Sequence, residues 1–206
     1  MPISQSSLLA AFQRKSLRDL LLAKTTGLDA AAHQSATSHM NLRRTPTDSQ
    51  RDAGNYRKGH FKVAGLNITI ENPAGTRRRP EWPILDAHYG YVRGSRGNDG
   101  DSVDVFVRPG TPADWAGPVY AIDQIRQGSG HFDEVKAMIG WSDQQEAVRA
   151  YAAGYTAGWK VGPVTEMTAD AFRRWVLSED GAGPASKKLQ RGWKDRLARL
   201  LERRQG

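Results

Sequence analysis

Apolar and polar positions alternate through the middle of this chain. Leu66, Ile68 and Ile70 alternate with Asn67, Thr69 and Glu71, and that period of two predicts a half-buried strand over 62–71. Gly65 marks a bend or a short hairpin, and Asn72-Pro73-Ala74-Gly75 ends the strand. His88 to Val92 reads as a second short strand. Val103, Val105 and Val107 make a third, with Asp104 on the face opposite those valines. Val119–Gln124 and Phe132–Ile139 add two more, joined by a turn at Arg126–Gly130. The period then lengthens. Ser142 and Gln145 have the spacing of a capping box, which opens a helix running to about Ala153. Thr168 to Asp170 caps a second, short helix from Ala171 to Leu177, with Phe172, Trp175 and Val176 facing inward.

The two ends read differently. Leu8, Leu9, Phe12, Leu20 and Leu21 recur at helical spacing over 6–24. Residues 25–55 lose periodicity and fill with Thr, Ser, Gln, Asn, Asp and Arg, the composition of a mobile linker. Asp180-Gly181-Ala182-Gly183-Pro184 reads as a hinge. Beyond it, 186–204 form a basic amphipathic helix with Leu189, Trp193, Leu197, Leu200 and Leu201 on one side. The expected organisation is an N-terminal helix and linker (1–55), a core domain (56–178) and a C-terminal helix (179–206). The core is expected to be α+β: a small antiparallel β-barrel or twisted sheet with two packed helices.

Composition narrows the chemistry. The 206 residues include no cysteine, which excludes a disulfide framework, a zinc–thiolate site and a Cys nucleophile. No apolar run is long enough to span a membrane, and Met1-Pro2-Ile3-Ser4-Gln5 lacks the layout of a signal peptide. A cytoplasmic protein without membrane contact is expected. The net charge of +8 is uneven. Residues 1–58 carry nine Lys/Arg against four Asp/Glu, 178–206 carry eight against four, and the middle carries thirteen against fourteen. The basic ends either serve solubility or contact nucleic acid or an acidic partner. Helices with apolar stripes and no core to join also suit a homo-oligomer or a protein partner.

The densest chemistry lies in Asp99-Gly100-Asp101-Ser102-Val103-Asp104. Three carboxylates crowd a tight turn and the start of a strand. Unpaired, they would repel and raise one another's pKa. A hard divalent cation such as Mg²⁺ removes that conflict; the alternative is a solvated acidic turn. Arg77-Arg78-Arg79-Pro80 is a compact cationic loop lying between acidic elements, where an anion site needs its cations.

Together these residues resemble the soluble type I inorganic pyrophosphatases. That family's signature is Asp-Gly-Asp-Pro-apolar-Asp-apolar, and Asp99 to Val105 follows it with Ser102 in place of Pro. Tyr89-Gly90-Tyr91 stands at the family's distance before the loop, and Glu71-Asn72-Pro73 fits its Glu-x-Pro. Asp133 and Lys136 look like its downstream metal-binding Asp and nearby Lys, and Tyr155 like the Tyr that ends its late helix. The likeness covers roughly 60–165 and is strongest to pyrophosphatase-like domains of phage and mobile-element proteins, which share strings like those at Gly65–Gly75 and Gly130–Lys136. Three further features depart from the family. The segment Glu71–Tyr89 is short and lacks a Lys-x-Glu strand; an upstream Asp is missing, Asp123 being the nearby candidate and read as structural; and Thr156 replaces a Lys.

The resemblance implies an OB-like barrel and Mg²⁺-dependent hydrolysis of inorganic pyrophosphate. Metals would be held by Asp99, Asp104, Asp133 and Glu71. Asp101 would accept the proton of the attacking water. Arg78, Lys136 and Lys160 would clamp the phosphates, with Tyr89 and Tyr155 hydrogen-bonding the site. The alternatives are a phage or prophage binding module that holds phosphate, nucleotide or nucleic acid without turnover, and a hydrolase for another phosphoanhydride, such as a nucleotide.

Overall fold

The computed structural model describes residues 27–42 and 45–187. The terminal helices expected over 6–24 and 186–204 lie outside these residues, except for the start of the second. So do the oligomer, phage-partner and nucleic-acid contacts expected of those helices.

Seven strands form one sheet: β1 (Gly59–Val63), β2 (Leu66–Asn72), β3 (His88–Val92), β4 (Asp104–Val107), β5 (Pro118–Ile125), β6 (Phe132–Ile139) and β7 (Val164–Thr168). Their order is β1-β2-β3-β4-β6-β5-β7. The expected α+β class holds, but the closed antiparallel barrel does not. The sheet is open and mixed. β6 inserts between β4 and β5, so β4 and β6 run parallel while the other pairs are antiparallel. β7 was not expected. It pairs with β5 from Pro118↔Thr168 to Ile122↔Val164 and forms one edge.

Local sequence explains the turns. Ala64 and Gly65 both have positive φ, 52° and 74°, giving a two-residue connection in which Val63 pairs with Leu66. The short hairpin at Gly65 is therefore what forms. Gly90 fits a closer constraint. A Cβ there would lie 1.8 Å from the Thr69 carbonyl oxygen of β2, so the Tyr-Gly-Tyr strand needs its glycine for strand approach.

The two faces carry different cores. Ile68, Ile70, Val105, Val107, Val119, Ala137 and Ile139 point to one face and meet Phe172, Trp175 and Val176. Those three come from the helix Ala169–Val176, which is capped by Thr168 as expected: its hydroxyl accepts from Ala171 N at 3.2 Å. Tyr89, Phe106, Tyr120, Ile122 and Met138 point to the other face and meet Ala147 and Tyr151 of the helix Gln144–Ala153. The cap of that helix is Asp143, one residue beyond the expected Ser142, and its carboxylate accepts from Glu146 N at 2.8 Å.

Residues 25–55, read as linker, contribute structure instead. Counted in chain order, α1 is Gly27–Ala32, α2 Asp48–Asp52, α3 Gln144–Ala153 and α4 Ala169–Val176. Leu28 and Ala32 of α1 are fully buried in the α4-side core. Asp29 accepts from His88 Nε2 at 2.9 Å and from Gly110 N at 3.0 Å. The Ser35 and Thr37 hydroxyls donate to the Glu71 carbonyl. Burial, with His88 and His39 beside it, pulls His33 down to about 4, so this histidine packs neutral. α2 carries a full capping box between Thr47 and Gln50. The expected hinge holds a short 3₁₀ turn, Glu179–Ala182. Asp123 takes the structural role read for it: its carboxylate accepts from Ala185 N at 2.7 Å and Ser186 N at 3.1 Å, and so caps the following turn. No helix among the described residues is long and apolar enough to cross a membrane.

If α1 belongs to the fold, Leu28→Ala should lower the unfolding free energy by about 2–4 kcal/mol in urea titration. A linker residue would change it by less than about 0.5 kcal/mol.

Candidate active site

The site is built on the α3 face of the sheet by register. Asp104 of β4 lies opposite Lys136 of β6 in the parallel ladder, and Tyr89 of β3 lies opposite Phe106, two residues along from Asp104. Side chains two apart share a face. Asp104, Tyr89 and Lys136 therefore converge. The Tyr89 hydroxyl and the Lys136 ammonium both donate to Asp104 Oδ2. Lys136 is 2 % exposed and reaches a second carboxylate, Glu134 Oε1, at 2.8 Å.

Arg78 closes the cluster from the arginine loop. Its Nη2 donates to the Tyr89 hydroxyl at 2.7 Å. Its guanidinium lies 3.8 Å from the Tyr89 ring centroid, 4.8 Å from Trp82 and 5.5 Å from Tyr155. Among the described residues its Nη1 is buried and has no hydrogen-bond partner. A guanidinium offers donors in a fixed fork that matches phosphate oxygens, and a buried donor without a partner is costly.

An aromatic wall supports these groups. Tyr155 stacks on Trp159 at 4.3 Å, and Trp159 Nε1 donates to the Tyr151 hydroxyl at 3.1 Å. Both tyrosines donate to Gln124 Oε1, at 3.1 Å from Tyr151 and 2.9 Å from Tyr155. Gln124 Nε2 donates in turn to Asp133 Oδ2 and Glu134 Oε1, both at 3.2 Å. Burial pushes the Tyr155 phenol up to about 12 and Tyr89 well above the usual phenol value, so both stay protonated donors at neutral pH.

The remaining expected residues are spread around this cluster. Asp99 and Asp101 lie on the exposed loop between β3 and β4. The Asp101 N–H donates to Asp99 Oδ1 at 3.0 Å, and Asn98 Nδ2 ties the loop to the Asp133 carbonyl at 3.0 Å. Lys136 pairs with Glu134 and not with Asp133, and the sequence reading does not count Glu134 among the metal ligands. A bulge between Gln124 and Ile125 of β5 disrupts the ladder beside Asp133, and Asp133 pairs with Arg126 at 3.2 Å. Glu71 stands apart, paired with Lys58 at 2.6 Å. Lys160 is exposed, its backbone bonded to Gln127.

Asp99, Asp104 and Glu134 are carboxylates in one field. Burial raises Glu134; Lys136 opposes that rise, while Asp104 and Asp99 add to it. Hard oxygen donors under mutual repulsion suit a divalent cation such as Mg²⁺. Among the described residues no three His, Asp or Glu stand together as a ready ion cage; Lys136 bridges Asp104 and Glu134 instead.

Two comparisons bear on this arrangement. The family model described as Inorganic Pyrophosphatase matches residues 48–177. No curated protein matches the chain.

The field around Glu134 has a measurable sign. Its folded pKa is raised, so the folded state binds more protons and loses stability as pH rises from the unfolded value through the folded one. Without divalent cations, the stability of Glu134→Gln relative to the wild type should therefore rise from pH 4 to pH 8. Paired thermal melts at the two pH values measure it.

Proposed function

The chain belongs to the inorganic pyrophosphatase family, and from that premise we propose that it hydrolyses inorganic pyrophosphate to two phosphates in the presence of Mg²⁺. The observation that carries the reading is Arg78: a buried guanidinium with an unpartnered Nη1, set beside Tyr89, Asp104 and Lys136.

Phosphoryl transfer demands positioning and charge neutralisation more than covalent chemistry. Arg78 and Lys136 are the cations nearest the centre and neutralise phosphate oxygens; Lys160 is the peripheral candidate for the same role. The Tyr89 and Tyr155 hydroxyls are held protonated by burial, and on binding each would turn its one O–H from Asp104 or Gln124 to the substrate or the leaving phosphate. Asp101, exposed on its loop and free of ion pairs with the buried cluster, accepts the proton of the attacking water. The water oxygen bonds to one phosphorus, and the bridging oxygen leaves with the other phosphate. Asp99, Asp104 and Glu134 are the carboxylates that would hold Mg²⁺, with Asp133 and Glu71 at the margin. Bound there, the ion would supply Lewis-acid polarisation of the phosphoryl oxygens.

A second reading is an anion-binding module without turnover. It is favoured by one feature: Lys136 already neutralises both Asp104 and Glu134, as a site that needs no metal would arrange.

Phosphate release from pyrophosphate separates the two. The enzyme reading predicts release that requires Mg²⁺ and stops with a chelator, with Asp101→Asn lowering kcat by about 10²–10⁴-fold. No release at any Mg²⁺ concentration from folded protein would leave the binding module standing.

A further inference from the structure

A cavity of about 810 Å³ opens beside the cluster, and Arg78 and Tyr89 line it as well as the site. Two phosphates do not need such a volume; it falls in the range of roughly 300–1,000 Å³ that encloses drug-sized ligands. One wall is the arginine loop with Arg77 and Arg79. Another comes from Thr37 and from Asp48 and Asp52 of α2. Thr37 lies outside the stretch matched by the family model, and Asp48 and Asp52 lie inside it. The lining thus joins phosphate-binding cations to carboxylates and a hydroxyl, and carboxylates are acceptors for sugar hydroxyls.

We propose that the site also takes diphosphates esterified to a hydroxyl-bearing organic group, nucleoside diphosphates above all, with the two phosphates at Arg78 and Tyr89 and the organic group in this cavity. The inference rests on the diphosphate reading above. The step is the same. A water oxygen bonds to the terminal phosphorus, the bond from that phosphorus to the bridging oxygen breaks, and the bridging oxygen leaves on the nucleoside monophosphate. The water proton passes to Asp101, and the products are a nucleoside monophosphate and phosphate.

The test uses the full chain with Mg²⁺, ADP as the probe and pyrophosphate in parallel. ADP binding is read by calorimetry and AMP release by chromatography. Ile84 is half exposed on the cavity wall and stands outside the reacting cluster, so Ile84→Trp narrows the cavity from its rim. Asp48→Ala, at an exposed position of α2, removes one acceptor without filling space. The wild type should bind and cleave ADP. Each variant should weaken ADP binding, Ile84→Trp by about tenfold or more, while pyrophosphate turnover stays within about twofold. Wild type that cleaves pyrophosphate but neither binds nor cleaves ADP overturns the inference and leaves the diphosphate reading intact. So does an Ile84→Trp protein that weakens both ligands equally. Failure of the diphosphate reading looks different: neither ligand binds.

Discussion

The ion pair between Asp104 and Lys136 is the constraint on which the site depends. Lys136 is almost fully buried, and an ammonium in that position is tolerated only when paired and hydrogen-bonded. Asp104 and Glu134 supply the pairing, and Tyr89 completes the Asp104 oxygen. The contact requires Asp104 and Lys136 to stand opposite each other, which the β4–β6 parallel ladder provides. Topology and chemistry are therefore the same fact. An antiparallel meander in chain order would put β5 beside β4 and separate the two charges.

Around that pair the molecule divides its work between faces. The α4 side is apolar, built from valine, isoleucine and leucine with Phe172 and Trp175 of α4. The α3 side is aromatic and polar: Tyr151 and Tyr155 donate to Gln124, Tyr89 to Asp104 and Tyr120 to the Ser142 carbonyl. A core of this kind is satisfied only as a network. Gln124 shows the economy: one amide accepts from two tyrosines and donates to two carboxylates. Among the described residues the exception is Arg78 Nη1, the buried donor left without a partner, and an anion would satisfy it.

Much of this was legible from residue order. The sequence pattern marked β2 to β6 and the hairpin at Gly65 but not β1 as a strand of its own, and the valines of 103–107 put Asp104 on the far face from the α4-side core. The Asp-Gly-Asp loop and Tyr-Gly-Tyr gave the family. What escaped has physical causes. α1 is six residues long, too short for a helical period, and its stability comes from burying Leu28 and Ala32. β7 follows a run of Gly and Pro and abuts a helix cap, so its five residues were absorbed into their neighbours. The parallel pairing of β4 and β6 is a non-local choice that period-two patterns do not encode. The pairing of Lys136 with Glu134 in place of Asp133 turns on one residue of register, and Gln124, beside the bulge, reaches both carboxylates.

Arg78, Tyr89, Asp104 and Lys136 are proposed to act as one diphosphate-binding unit. The most direct measurement is calorimetric binding of methylene diphosphonate, which has the shape of pyrophosphate and no cleavable bridge, to wild-type protein and to Arg78→Gln with Mg²⁺ present. The wild type should bind, and the variant about 10–100-fold more weakly as one charge-assisted pair is lost. Equal binding by both proteins would contradict it.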